Sequence, residues 1–179
     1  MQLFSKTLLL ITAFSSILLL QGCGDDSNPY QVTYNAPAPY DISKADSSYT
    51  TSDGLQVYII EESNDLFEVS PRDVVSAYYT GRVIKNGKVG DIFDSTYRNE
   101  SVEPGVLRNL TPTPKQSSNG PISPLIDGFR RAVLGMREGE KRVVIIPPHL
   151  GYEGSQEGTS GYDLRNDTLR FDIEVDMIL

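Results

Sequence analysis

One cysteine, one histidine and no tryptophan stand in a chain of 179 residues, and each scarcity closes off a class of chemistry. A single thiol, Cys23, cannot form an intrachain disulfide. A single imidazole, His149, leaves at most one Ser–His or Cys–His pair, and its place beside Pro147-Pro148 points to a surface turn instead. Cys and His at these counts make no zinc cluster, and no glycine-rich phosphate loop is present. Glu153, Glu157, Asp163 and Asp167 do not follow calcium-loop spacing. No metal and no cofactor is expected. Basic residues are outnumbered by acidic ones, 16 to 24, for a formal charge of −8 at pH 7. A chain this acidic repels phosphate backbones, so nucleic acid is excluded as a partner.

What the front of the chain does have is a hydrophobic run. One positive charge, Lys6, precedes the apolar residues 7–20, which are followed by Gln21, Gly22 and Cys23. A charged start, a short apolar stretch and a small residue before a cut form a secretory signal. The run is shorter than the roughly 20 apolar residues a transmembrane helix needs. Leu20-Gln21-Gly22-Cys23 resembles a bacterial lipobox, which implies lipidation of Cys23 and removal of residues 1–22 as a signal peptide. Gly24 is not the aspartate associated with inner-membrane retention. By that analogy the expected location is the cell envelope, anchored by lipid in the outer membrane and facing the periplasm.

Residues 23–52 are polar, with Pro29, Pro37 and Pro39 and no apolar periodicity, and they are expected to form the lipidated end and a flexible tether. With no helical stripe there to pair two copies, a monomer is expected. From residue 53 strand patterns begin. Residues 55–61, 73–84, 90–94 and 141–146 are β-rich, and Asn86-Gly87 marks a hairpin turn. In residues 168–178, Leu169, Phe171, Ile173, Val175 and Met177 alternate with Thr168, Arg170, Asp172, Glu174 and Asp176. That period predicts one face on a core and one in water. Leu125, Ile126, Phe129, Val133 and Leu134 recur at helical spacing between Pro124 and Gly135. The expected domain, residues 53–179, is α+β: a curved antiparallel β-sheet wrapped around one short amphipathic α-helix.

A succession of blocks is more specific than any of these patterns. In order they are Tyr79-Thr80-Gly81, Gly87-Lys88, Ile92-Phe93-Asp94-Ser95, Leu125-Ile126-Asp127-Gly128-Phe129, Leu134-Gly135-Met136-Arg137-Glu138-Gly139-Glu140, Ile146-Pro147-Pro148-His149-Leu150-Gly151-Tyr152 and Thr168-Leu169-Arg170-Phe171-Asp172. The series resembles the FKBP-type peptidyl-prolyl cis–trans isomerases across residues 54–179. The resemblance implies an FKBP-like fold and an apolar, aromatic-lined pocket for a proline ring. Matched block by block, it implies catalytic roles for Tyr79, Phe93, Asp94, Ile126, Tyr152 and Phe171, with Leu125 and Phe129 binding substrate. The implied partners are proline-containing polypeptides, here exported proteins, and the membrane through the anchor at Cys23.

Elementary chemistry is compatible with that implication. Rotation about an X–Pro bond breaks amide resonance, at a barrier of about 18–20 kcal/mol. An apolar pocket disfavours the polar planar amide relative to the twisted one, so catalysis is differential binding and requires no nucleophile. The chain departs from the family between Asp94 and Leu125, a longer segment holding Pro104, Pro112 and Pro114. It departs again at Tyr162-Asp163-Leu164-Arg165-Asn166-Asp167, where Tyr162 is placed to replace a lost apolar wall. These departures keep a second expectation open: a weakly catalytic binding module or holdase using the same pocket. For the anchor, Cys23→Ser is expected to leave an unprocessed or soluble chain. Membrane fractionation checks this, and a variant that still partitions with lipid refutes lipidation at Cys23.

Overall fold

The computed structural model describes residues 32–179. The expected signal peptide 1–22, the lipidation site Cys23 and the tether up to residue 31 lie outside the described residues. In chain order the strands are β1 (Ser47–Thr50), β2 (Gln56–Glu61), β3 (Val75–Lys85), β4 (Lys88–Ser95), β5 (Tyr97–Arg98), β6 (Ser101–Val102), β7 (Gly105–Leu107), β8 (Lys141–Ile146) and β9 (Thr168–Ile178). One α-helix, α1 (Asp127–Val133), lies between β7 and β8 among the described residues. The main sheet runs β1-β2-β8-β9-β3-β4, with β7 also paired to β3 and every pairing antiparallel. Asn86 and Gly87 form the turn between β3 and β4, as their sequence predicts.

The sheet curves around α1, which presents Phe129, Ala132 and Val133 to it. Leu55, just ahead of β2, and Val57, Val75, Val144, Ile146, Leu169, Ile173 and Val175 from the strands are buried in the same core cluster as the helix residues. Burial of each such side chain contributes about 1.5–3 kcal/mol, which makes this seam the main source of stability. The helix is short because Pro124 precedes it and Leu134 already leaves helical geometry at ψ 135°.

Two expectations are corrected. Residues 32–52 do not form a free tether. Residues 42–44 make a 3₁₀ turn whose start is capped by Asp41, with Ser43 N–H donating to Asp41 Oδ1 at 3.0 Å. β1 then pairs with β2 from Ser47↔Ile59 to Thr50↔Gln56. Apolar periodicity gave no sign of this, because β1 is exposed along its whole length and docks through its backbone.

The second correction concerns β9. Leu169, Phe171, Ile173 and Val175 face the core as expected, but Met177 is 49% exposed. Arg170 and Asp172, on the face expected to be wet, are only 5% and 8% exposed. They are covered by residues 37–40. Asp172 accepts from Arg82 Nη1 at 2.9 Å and from Arg170 Nη2 at 2.7 Å. The guanidiniums spend further donors on that covering strap: Arg82 Nη2 on the Pro37 carbonyl at 2.6 Å, and Arg170 Nη2 on the Tyr40 carbonyl at 2.5 Å. The Tyr40 amide donates back to Asp172 Oδ1 at 2.9 Å.

One carboxylate therefore sits between two buried cations. Asp172→Leu leaves those cations facing each other without an anion and is expected to cost about 3–5 kcal/mol. Urea denaturation measures the loss, and an unchanged midpoint would show that the cluster carries no stability.

Candidate active site

The pocket is built where β3, β9, α1 and the loop after β8 converge. β3 supplies Tyr79 and β9 supplies Phe171, from strands that pair Gly81 with Phe171. Phe129 rises from α1, with Leu125 and Ile126 in the segment that enters it. Tyr152 follows the 3₁₀ turn Pro148–Leu150, and Asp94 comes from β4. Together these residues line a cavity of about 210 Å³. Its aromatic walls lock one another edge to face. Ring centroids are 4.7 Å apart for Phe129 and Phe171, and 5.4 Å apart for Tyr79 and Phe129, at interplanar angles of 64° and 70°. Such pairs add about 0.5–1.5 kcal/mol each beyond their burial, so the pocket is stiff before anything enters it.

Phe93 stands at the border rather than in this cavity. Its ring lies edge-on to Phe171 at 5.4 Å and to Tyr152 at 6.4 Å. On its far side is a second concavity of about 590 Å³, which shares Asp94 and Tyr152 and is closed by residues 159–164. Tyr162 belongs to this second space, under the Arg165 guanidinium at 3.8 Å from its ring centroid. The residues singled out in the sequence thus come together as two adjoining groups. Tyr79, Asp94, Leu125, Ile126, Phe129, Tyr152 and Phe171 bound the first; Phe93 and Tyr162 bound the second.

Sequence reasoning missed some of the wall. Leu107, on β7, and Pro124 also line the first cavity. Leu107 belongs to the long segment after Asp94, and its short strand has no pattern that would have marked it. Two glycines matter sterically. A methyl added at Gly81 would lie 2.7 Å from both Phe171 Cε1 and Phe93 Cζ, so only glycine lets those rings cross the strand. Gly161, at φ +90°, lies flat on the Tyr152 ring, where any Cβ would collide with it.

Burial pushes the Tyr79 phenol well above its ordinary value, and the neighbouring Asp94 carboxylate pushes it further. Burial, then the same carboxylate, raises Tyr152. Both hydroxyls therefore stay protonated as hydrogen-bond donors. Among the described residues none accepts from the Tyr152 hydroxyl, which leaves it free for a bound chain.

Comparison with known proteins finds relatives of this arrangement. The sequence profile of the FKBP-type peptidyl-prolyl cis-trans isomerases matches residues 67–176. The chain is 36% identical over 132 residues to FK506-binding protein 2 of Candida glabrata, covering 72% of this chain and 84% of that protein. It is 31% identical over 121 residues to the peptidyl-prolyl cis-trans isomerase Mip of Chlamydia trachomatis, covering 68% of this chain and 40% of that protein. Among solved structures, FkpA from Escherichia coli has a TM-score of 0.55 at 25% identity. That match covers 76% of this chain and 54% of the FkpA chain, so this chain spans about half its length.

The raised phenols set an alkaline limit. Below the ordinary phenol value of 10.0 both folded and unfolded chains keep these protons, and stability is unaffected. Above it the unfolded chain ionises first, so stability falls as pH rises towards the folded values. Urea midpoints between pH 8 and pH 11 are expected to hold level and then drop beyond about pH 10. A midpoint that rises above pH 10 would contradict the burial assigned to Tyr79 and Tyr152.

Proposed function

The chain belongs to the FKBP-type peptidyl-prolyl cis–trans isomerase family, and from that premise we propose that it isomerises X–Pro bonds in exported proteins at the cell envelope. The observation that carries this is the 210 Å³ cavity with aromatic walls, open to a bound chain and bordered by one carboxylate. A proline ring enters between Tyr79, Phe129 and Phe171. The apolar lining gives the planar amide none of the polar partners it has in water, so the less polar twisted amide is favoured by difference. The Tyr152 hydroxyl donates to a carbonyl of the substrate backbone and fixes its direction. The Asp94 carboxylate acts on the wall, through its field on Tyr79 and Tyr152. No proton is transferred and no covalent bond to the protein forms.

Lipidation at Cys23 is the basis for an envelope location, with the domain held at the outer membrane and facing the periplasm. No helix among the described residues is long and apolar enough to cross a membrane. The chain acts as a monomer, because residues 34–50 pack on their own domain in place of a partner. A second reading, a holdase that binds chains with little turnover, is favoured by the 590 Å³ concavity beside the pocket, whose mixed lining includes Phe93, Tyr152, Tyr162 and Leu164.

The two readings separate in one assay. Tyr152→Phe removes a single neutral hydrogen bond, worth about 0.5–1.5 kcal/mol, and is expected to lower kcat/KM toward an X–Pro peptide about two- to tenfold. Asp94→Asn is expected to lower it as well. Lys85→Gln, on the exposed end of β3, is expected to leave it unchanged. Equal activity in all three folded variants would remove the pocket from catalysis, and inactivity of the wild-type chain would favour the binding-module or holdase reading over the isomerase.

A further inference from the structure

β4 carries two residues more than β3 along their ladder, and one of the two extra residues falls at Phe93. Gly81 pairs with Asp94 and Arg82 with Ile92, so Phe93 between them has no partner across the ladder. A bulge of this kind bends its strand and re-aims the bulged side chain. The ring re-aimed here is Phe93, which separates the two cavities of the site. Such a bulge is held by whatever satisfies the backbone groups that the ladder leaves over. The Phe93 carbonyl accepts the Tyr34 hydroxyl at 3.1 Å.

Tyr34 is itself fixed along the chain on both sides. Its neighbours pair with the β5–β6 hairpin: Asn35 N–H donates to the Tyr97 carbonyl at 3.0 Å, and Asn99 N–H to the Thr33 carbonyl at 2.8 Å. A few residues on, Pro37 and Tyr40 are held by Arg82 and Arg170. Burial raises the Tyr34 phenol, and the charge of Asp94 raises it further against the opposing Arg98, so the hydroxyl remains a donor. Tyr34 lies before residue 67, where the family profile begins its match, so family membership assigns it no role.

We propose that Tyr34 is a positioning residue of the site: its hydroxyl holds the Phe93 bulge, and through it the Phe93 ring, which lines the second cavity and packs on Phe171, and the Asp94 carboxylate, which lines both cavities. Tyr34, ahead of the segment that the family profile matches, then supports the working pocket from outside it. The kinetic consequence rests on the isomerase reading; the structural one does not.

Tyr34→Phe in the full chain keeps the ring and deletes the contact, with Tyr40→Phe as the strap control remote from Phe93. The loss of one neutral hydrogen bond predicts a fall in kcat/KM of about two- to tenfold. The fall is expected in kcat with KM nearly constant, because the bulge shapes the wall that meets the twisted amide. Thermal midpoint falls by no more than a few degrees, and the backbone amide signals of Phe93 and Asp94 shift, while Tyr40→Phe changes neither kcat/KM nor those two signals. The proposal is overturned if kcat and the two amide signals stay at wild-type values, if the fall lies in KM alone, or if Tyr40→Phe reproduces it. A wild-type chain without activity would defeat the isomerase reading, and the amide shifts would then decide the positioning role by themselves.

Discussion

The antiparallel ladder between β3 and β9 sets Gly81 opposite Phe171, Thr80 opposite Asp172 and Arg82 opposite Arg170. Successive side chains leave a strand on opposite faces, so this one register makes two surfaces at once. The inner face carries Tyr79, the gap at Gly81 and the Phe171 ring, which become the pocket. The outer face carries Arg82, Arg170 and Asp172, which become a buried charge cluster. A slip of one residue would turn the aromatics outward and the guanidiniums into the core. Pocket and strap therefore share a single determinant, although they lie on opposite sides of the sheet.

The outer cluster explains how a segment with little apolar character finds one place to dock. A buried ion pair is an uneven source of stability, since desolvation offsets much of its Coulomb gain. Its donors are directional, however, and two guanidiniums sharing one carboxylate have N–H groups left over. The carbonyls of Pro37 and Tyr40 take two of them, and the Tyr40 amide closes the arrangement onto Asp172. Shifted by one residue, the strap would lose all three contacts together. Its register is specified by hydrogen-bond geometry where no hydrophobic stripe exists to do so.

The long segment between β4 and α1 contributes to the pocket in a comparable way. Asn109 is 2% exposed and ties the segment together, its side-chain amide donating to the Thr113 and Ile122 carbonyls at 2.9 Å each. Leu110 is fully buried beside it. So anchored, the segment brings Leu107 to the cavity wall. The site then gathers its walls from β3, β4, β7, β9, α1 and two loops, with rigidity supplied by interlocked rings rather than by reactive groups.

By itself the sequence determined the elements whose cause is local. The alternation in residues 168–178, the apolar run Lys141–Ile146, the Asn86-Gly87 turn and the helical spacing around Phe129 each reflect a period that a strand or helix imposes on its own residues. Block order then identified the residues that gather at the pocket, from Tyr79 to Phe171. Tertiary structure decided what depends on contacts between distant residues. Arg170 and Asp172 look solvent-facing until residues 37–40 cover them. Leu107 has no signature until β7 pairs with β3, and the Phe93 bulge exists only as a mismatch between two strands. Polar docking leaves no period in a sequence, because each hydrogen bond is satisfied once, by a partner whose position the fold alone supplies.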